Sequence, residues 1–124
     1  MLLDTSAWVE FFIKSKLGER VNQDLKAASC YTSIVSIAEI SNWAIKQKLD
    51  GRKLVPYVTE LTQILPVTPK IAFLAGELNF ERKKVEKNWG MLDSLILSTA
   101  RVYSLKVLTK DSHFKDLPDV ETLF

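Results

Sequence analysis

Short apolar runs alternate with longer amphipathic ones along this chain, and that alternation restricts its fold more than any other feature. Residues 1–3, 30–33, 65–67, 106–109 and 120–123 are too short for helices and read as strands. Between them lie stretches with helical spacing. Residues 7–13 follow Asp4, Thr5 and Ser6, all good N-cap types. Residues 18–28 form a second helix. Residues 34–48 place apolar side chains at 34, 37, 38, 40, 44 and 45, and Asp50-Gly51 closes that helix. Residues 54–64 read as another, followed by a helix from Pro69, a favourable first-turn residue, to Arg82. Asp93 then caps a helix over residues 94–103. The order strand–helix–helix, three times over and then strand, supplies connections long enough to be crossovers. The expected architecture is α/β, a three-layer α/β/α sandwich with a mainly parallel, short-stranded central sheet, in one domain over residues 1–124.

Composition narrows the function classes. A chain that is 47% hydrophobic has ordinary globular character. A net charge of +2 is too small to argue nucleic-acid binding alone, although local basic patches can still steer a polyanion. One cysteine, Cys30, precludes an internal disulfide, and one cysteine with one histidine makes a structural zinc site a poor expectation. The opening Met1-Leu2-Leu3 lacks basic residues and is broken at once by Asp4. Neither a signal peptide nor a membrane span is expected, and the expected compartment is the cytoplasm.

Four acids stand where such a fold concentrates chemistry. In open parallel sheets, ligands bind beyond the carboxyl ends of the strands. Asp4 follows the first strand, and Asp111 follows Val107-Leu108-Thr109 by two residues. Glu39 lies on the helix leaving the second strand, and Asp93 begins its own helix. Each has a plainer reading, as an N-cap, a turn residue or a solvated helix position. Glu39 departs most from it, because Ile37-Ala38-Glu39-Ile40 is so apolar that the acid wants a partner. Four carboxylates at one edge repel one another, and a fold tolerates that when a cation sits among them. All-oxygen donors suit Mg²⁺ or Mn²⁺ rather than zinc, and such ions activate water for in-line attack on a phosphodiester.

These acids sit in four motifs. They are Leu3-Asp4-Thr5-Ser6-Ala7; Ser36-Ile37-Ala38-Glu39-Ile40; Leu92-Asp93-Ser94-Leu95-Ile96 continuing through Ala100; and Leu108-Thr109-Lys110-Asp111-Ser112-His113-Phe114. In this order and spacing, over nearly the whole chain, the sequence resembles the PIN-domain family and, within it, the VapC-type toxins of toxin–antitoxin pairs. The resemblance implies an Mg²⁺- or Mn²⁺-dependent endoribonuclease. It implies that Asp4, Glu39, Asp93 and Asp111 are catalytic and hold metal, and that Ser6 and Thr109 support the site by hydrogen bonding. It further implies an RNA substrate, a cognate antitoxin partner and a homodimer. His113 departs from the pattern, since many relatives carry an acid there, and this bears on whether the site holds one metal or two. A PIN nuclease of RNA maturation or decay and a non-catalytic PIN-like binding module are the alternatives. A haloacid-dehalogenase-like phosphatase is disfavoured because Ser6 stands where that chemistry wants an acid. A receiver domain is disfavoured because the second strand ends near Ser33 rather than at an acid.

Three further features carry paired readings. The charge run from Glu81 to Lys87 is either a track for an RNA backbone or a solvated helix end. Trp89 either stacks on an unpaired base or packs in the interior. Trp8, Phe11 and Phe12 read mainly as core residues, with some of them lining a groove for an antitoxin segment.

Overall fold

The computed structural model describes residues 1–124. Strand β1 (Leu2–Leu3) leads into α1 (Thr5–Ile13) and α2 (Lys16–Ala27). Strand β2 (Tyr31–Ser33) leads into α3 (Ile34–Lys46) and α4 (Gly51–Leu61). Strand β3 (Gln63–Leu65) leads into α5 (Pro69–Arg82) and α6 (Met91–Val102), and β4 (Val107–Thr109) into a 3-10 turn (Ser112–Phe114) and β5 (Val120–Thr122). The expected order of elements is the observed one.

All strand pairs are parallel, in the order β3-β2-β1-β4-β5. Crossovers between parallel strands are right-handed, so direction of travel decides which face a helix covers. The chain steps one way from β1 to β3, and α1 to α4 pack on the face carrying Leu3 and Leu108. It then returns past β1 to β4, and α5 and α6 pack on the opposite face with Leu2 and Val107. The result is the three-layer α/β/α sandwich. The order reverses between β1 and β4, so the carboxyl ends of those two neighbours flank the crevice where such sheets bind ligands.

Each face is anchored by one fully buried tryptophan. Trp8 sits among Leu3, Val21, Ile40 and Val58, and its Nε1–H donates to Thr32 Oγ1 at 3.1 Å. Trp89 sits among Leu2, Leu97, Val107 and Phe114, and its Nε1–H donates to Ser94 Oγ at 2.7 Å. Burial with a satisfied indole N–H is a packing role, which removes Trp89 from the candidates for base stacking. Phe11 and Phe12 are only partly buried, with Phe12 stacked on Trp8 at 5.7 Å.

Several boundaries differ from the sequence reading, among them β3, which spans residues 63–65 rather than 65–67. Helix α4 starts at Gly51 because the Asp50 side chain accepts from Arg52 N–H at 3.0 Å, and it stops early because Ile64 pairs opposite Thr32 in the sheet. Helix α6 starts at Met91, so Gly90 holds the N-cap position and Asp93 stands in the first turn. The α1–α2 junction is tight. A Cβ at Gly18 would strike the Glu10 carbonyl oxygen, so only glycine lets α2 approach α1 this closely. No helix is long and apolar enough to cross a membrane.

Candidate active site

Asp4 has the backbone of an N-cap, yet its side chain makes no cap bond. It turns toward two hydroxyls: Ser6 Oγ and Thr109 Oγ1 each donate to Oδ2 at 2.8 Å. Ser6 Oγ in turn accepts from Lys110 N–H at 2.9 Å, and Thr109 Oγ1 from Asp111 N–H at 2.9 Å. The first and last motifs are therefore stitched together across the β1–β4 crevice. Thr5 Oγ1 donates to Glu39 Oε1 at 2.6 Å and lies 3.0 Å from Ser36 Oγ, which ties the second motif to the first. Asp93 Oδ2 accepts from Gly90 N–H at 2.9 Å. Asp111 Oδ1 accepts from His113 N–H at 2.9 Å, and His113 Nδ1 lies 3.1 Å from the same oxygen.

The electrostatics follow from this gathering. Burial pushes the Asp4 carboxyl above its ordinary value; the Thr109 and Ser6 hydroxyls oppose that, and the charge of Asp111 adds to it. Burial also raises Glu39, opposed by Thr5 and reinforced by Asp4 and Asp93. Asp93 is raised chiefly by burial, opposed by the Gly90 N–H, with Asp4 and Asp111 adding to the rise and His113 lowering it. The acids proposed from the sequence thus lie within one another's fields at one edge of the sheet.

No three acidic, histidine or cysteine side chains converge tightly enough to enclose an ion by themselves. The donor set nonetheless fits a hard cation. Mg²⁺ keeps several waters and asks a protein for only one or two carboxylates, with substrate phosphate supplying the rest. Raised, mutually repelling carboxylates held by hydroxyl and amide donors are what such a cation relieves.

Two buried charges escaped the sequence reading. Glu10 on α1 is 4% exposed, and its Oε1 meets Lys110 Nζ at 3.0 Å. The run Trp8-Val9-Glu10-Phe11-Phe12 offered the same clue as Glu39, an acid among apolar neighbours. Arg82, at the end of α5, is 7% exposed. Its Nη1 and Nη2 donate to the two oxygens of Asp116 at 2.8 and 3.1 Å, and Nη2 also donates to the His113 carbonyl at 2.9 Å. Its guanidinium lies 4.7 Å over the Trp89 ring, and its hydrogen bonds hold the Asp116 carboxyl below its ordinary value. Most of the remaining charge run is solvated, as with the exposed Lys84–Glu81 pair at 3.3 Å, while the half-buried Glu86 lies 4.0 Å from His113 Nε2.

The fold is shared with known structures. A toxin–antitoxin complex from Klebsiella pneumoniae contains a chain that is 23% identical, with a TM-score of 0.79 and coverage of 99% of this chain and 97% of that one. VapBC2 from Rickettsia felis, bound to a DNA fragment from its promoter, gives 21% identity, a TM-score of 0.77 and coverage of 98% and 96%. VapBC-5 from Mycobacterium tuberculosis gives 22%, 0.70, and 98% and 94%. No curated protein sequence matches significantly. The PIN domain pattern, however, matches residues 1–120, and the chain accordingly belongs to the PIN domain family.

Proposed function

We propose that this PIN domain is a VapC-type toxin: a divalent-metal-dependent endoribonuclease held in check by a cognate antitoxin. The observation that carries this reading is the shared field of Asp4, Glu39, Asp93 and Asp111 at the β1–β4 crevice. Asp4 and Asp93 would hold Mg²⁺ or Mn²⁺ most directly, with Glu39 and Asp111 completing its surroundings. When bound, the cation lowers the pKa of its water and offsets charge developing on the phosphodiester. The protein's own part is positional. Ser6 and Thr109 fix one oxygen of Asp4 and leave the other without a hydroxyl donor. Thr5 aims Glu39 inward, and the Gly90 amide orients Asp93. His113 sets a donor beside Asp111, where it moderates the negative field that an RNA phosphate must enter.

The partner reading draws on the toxin–antitoxin complexes of similar fold. A groove of about 520 Å³ between α1, α2 and α4 offers the apolar anchors Phe11, Phe12, Leu54 and Tyr57 beside the polar Lys14, Glu19 and Asn22, a mixed lining that suits an amphipathic antitoxin segment. An RNA substrate and a homodimer belong to the same proposal. Asp4→Asn and Asp93→Asn should each abolish Mg²⁺-dependent cleavage of total cellular RNA by the purified, antitoxin-free protein. Full activity in either variant refutes the site.

A further inference from the structure

The segment carrying Asp111 is tied to both helical layers through buried charges. Just before Asp111, Lys110 reaches Glu10 on α1. Just after it, the His113 carbonyl and the Asp116 carboxylate receive Arg82 from α5. The Arg82 grip is extended by Trp89, which lies under the guanidinium, 4.6 Å from the Phe114 ring, and donates to Ser94 beside Asp93. Trp89 also precedes Gly90, whose amide orients Asp93. One packed unit therefore touches the supports of both Asp93 and Asp111.

We infer that Arg82 and Trp89 are positioning residues which set the separation of Asp93 and Asp111, with the Glu10–Lys110 pair restraining the other end of the 110–116 segment. Three observations point the same way. A guanidinium used bidentately fixes direction as well as distance. Arg82 is buried while Asp116 is 58% exposed at its side chain, so the cation is fixed in the fold and the loop comes to it. Arg82 Nε is buried without a partner, so the side chain sits where the loop contacts hold it rather than where its own hydrogen bonding would be complete.

The inference rests on the metal-site reading, and the test separates the two. Arg82→Met removes the buried cation and leaves the exposed Asp116 and the His113 carbonyl without their donor. Asp116→Asn weakens the fork from the solvent side and serves where Arg82→Met does not fold. Arg101→Met is the control, since it removes another Arg–Asp pair, with Asp119 at 2.7 Å, at the opposite end of α6 from Asp93 and outside the acids' hydrogen-bond network. Outer partners of metal ligands typically change affinity or activity by about 10–100-fold. Arg82→Met and Asp116→Asn should weaken Mn²⁺ binding, read by titration calorimetry, and lower kcat within about that range while KM for RNA holds. Arg101→Met should change neither. In metal-free protein, amide exchange at Asp111, His113 and Phe114 should quicken in Arg82→Met and not in Arg101→Met. Folded variants with wild-type exchange and wild-type Mn²⁺ affinity overturn the inference. Absence of Mn²⁺ binding by the wild type overturns the metal reading instead, and the exchange result then decides the inference alone.

Discussion

The two ends of the Asp111 segment are held in different ways. At one end a half-exposed lysine makes a single contact to the buried Glu10, and at the other a buried arginine makes three hydrogen bonds over an indole. An ammonium is a compact point charge on a flexible stem, so it satisfies Glu10 without fixing the direction of the chain. A guanidinium fork fixes both. The same contrast separates the layers behind them. Around Trp8 the packing is aromatic and aliphatic, with Phe11, Phe12, Trp43 and Tyr57 in ring contacts and only the neutral hydroxyls of Thr32 and Thr62 behind the indole. Around Trp89 a cation is built into the packing, and direction counts as well. The difference teaches that a buried cation adds direction to the packing around Trp89 that ring contacts alone do not supply around Trp8.

Truncating the two tryptophans tests the contrast most severely. Trp8→Ala and Trp89→Ala should each lose about 3–5 kcal/mol in urea unfolding. Trp89→Ala should lose roughly 1 kcal/mol more, because Arg82 also forfeits its aromatic platform. Equal losses would dissolve the distinction between the layers. Removing the exposed partner of each buried charge comes next. Lys110→Met leaves Glu10 without its ion pair, whereas Asp116→Asn leaves Arg82 with the His113 carbonyl and the Trp89 ring. Lys110→Met should cost about 1–3 kcal/mol and Asp116→Asn clearly less, measured by the same unfolding.

The two sides of the loop should also titrate oppositely. Asp4, Glu39 and Asp93 have raised values in the folded state, so they favour folding below their ordinary values of 3.8 to 4.5. That contribution is lost as pH rises through the raised values. Asp116 is lowered, so its contribution is present above 3.8 and is lost as pH falls through its folded value. Thermal melts without metal should therefore show Asp4→Asn gaining on the wild type as pH climbs toward neutrality, and Asp116→Asn gaining on it as pH drops below 3.8. Millimolar Mg²⁺ should shrink the first difference, since a cation binding only the folded state stabilises it. The smallest effect belongs to Arg101→Met, whose pair with Asp119 is solvent-accessible and worth about 0–1 kcal/mol by melting.

Much of this was legible in the sequence for local reasons. Helical spacing, Pro69 at the start of α5 and the Asp50-Gly51 stop after α3 made the order of elements readable, because caps and periodicity act within a few residues. The acids were legible because Asp4 and Asp111 border apolar strands and Glu39 interrupts an apolar helix. Strand limits were harder to read, since two- and three-residue strands are defined by partners dozens of residues away. Asp93 was misplaced as an N-cap because Gly90 leaves no side-chain clue that the helix begins three residues earlier. Arg82 was hidden in a charge run whose members differ only in helical phase. Counting back by turns would have found it, for Arg82 continues the stripe of buried Ile71 and Ala75 and half-buried Leu78 along α5.

The pairing of β1 with β4 also orders events in time. A chain made from its amino terminus exposes Leu2 and Leu3 long before residues 107–109 exist to lie beside them. Until then Asp4 lacks the Thr109 hydroxyl, and Asp111 is not yet there. A nascent or truncated chain that stops short of β4 carries Asp4, Glu39 and Asp93 without their common frame. The edge that gathers the acids is thus among the last parts of the fold to be completed.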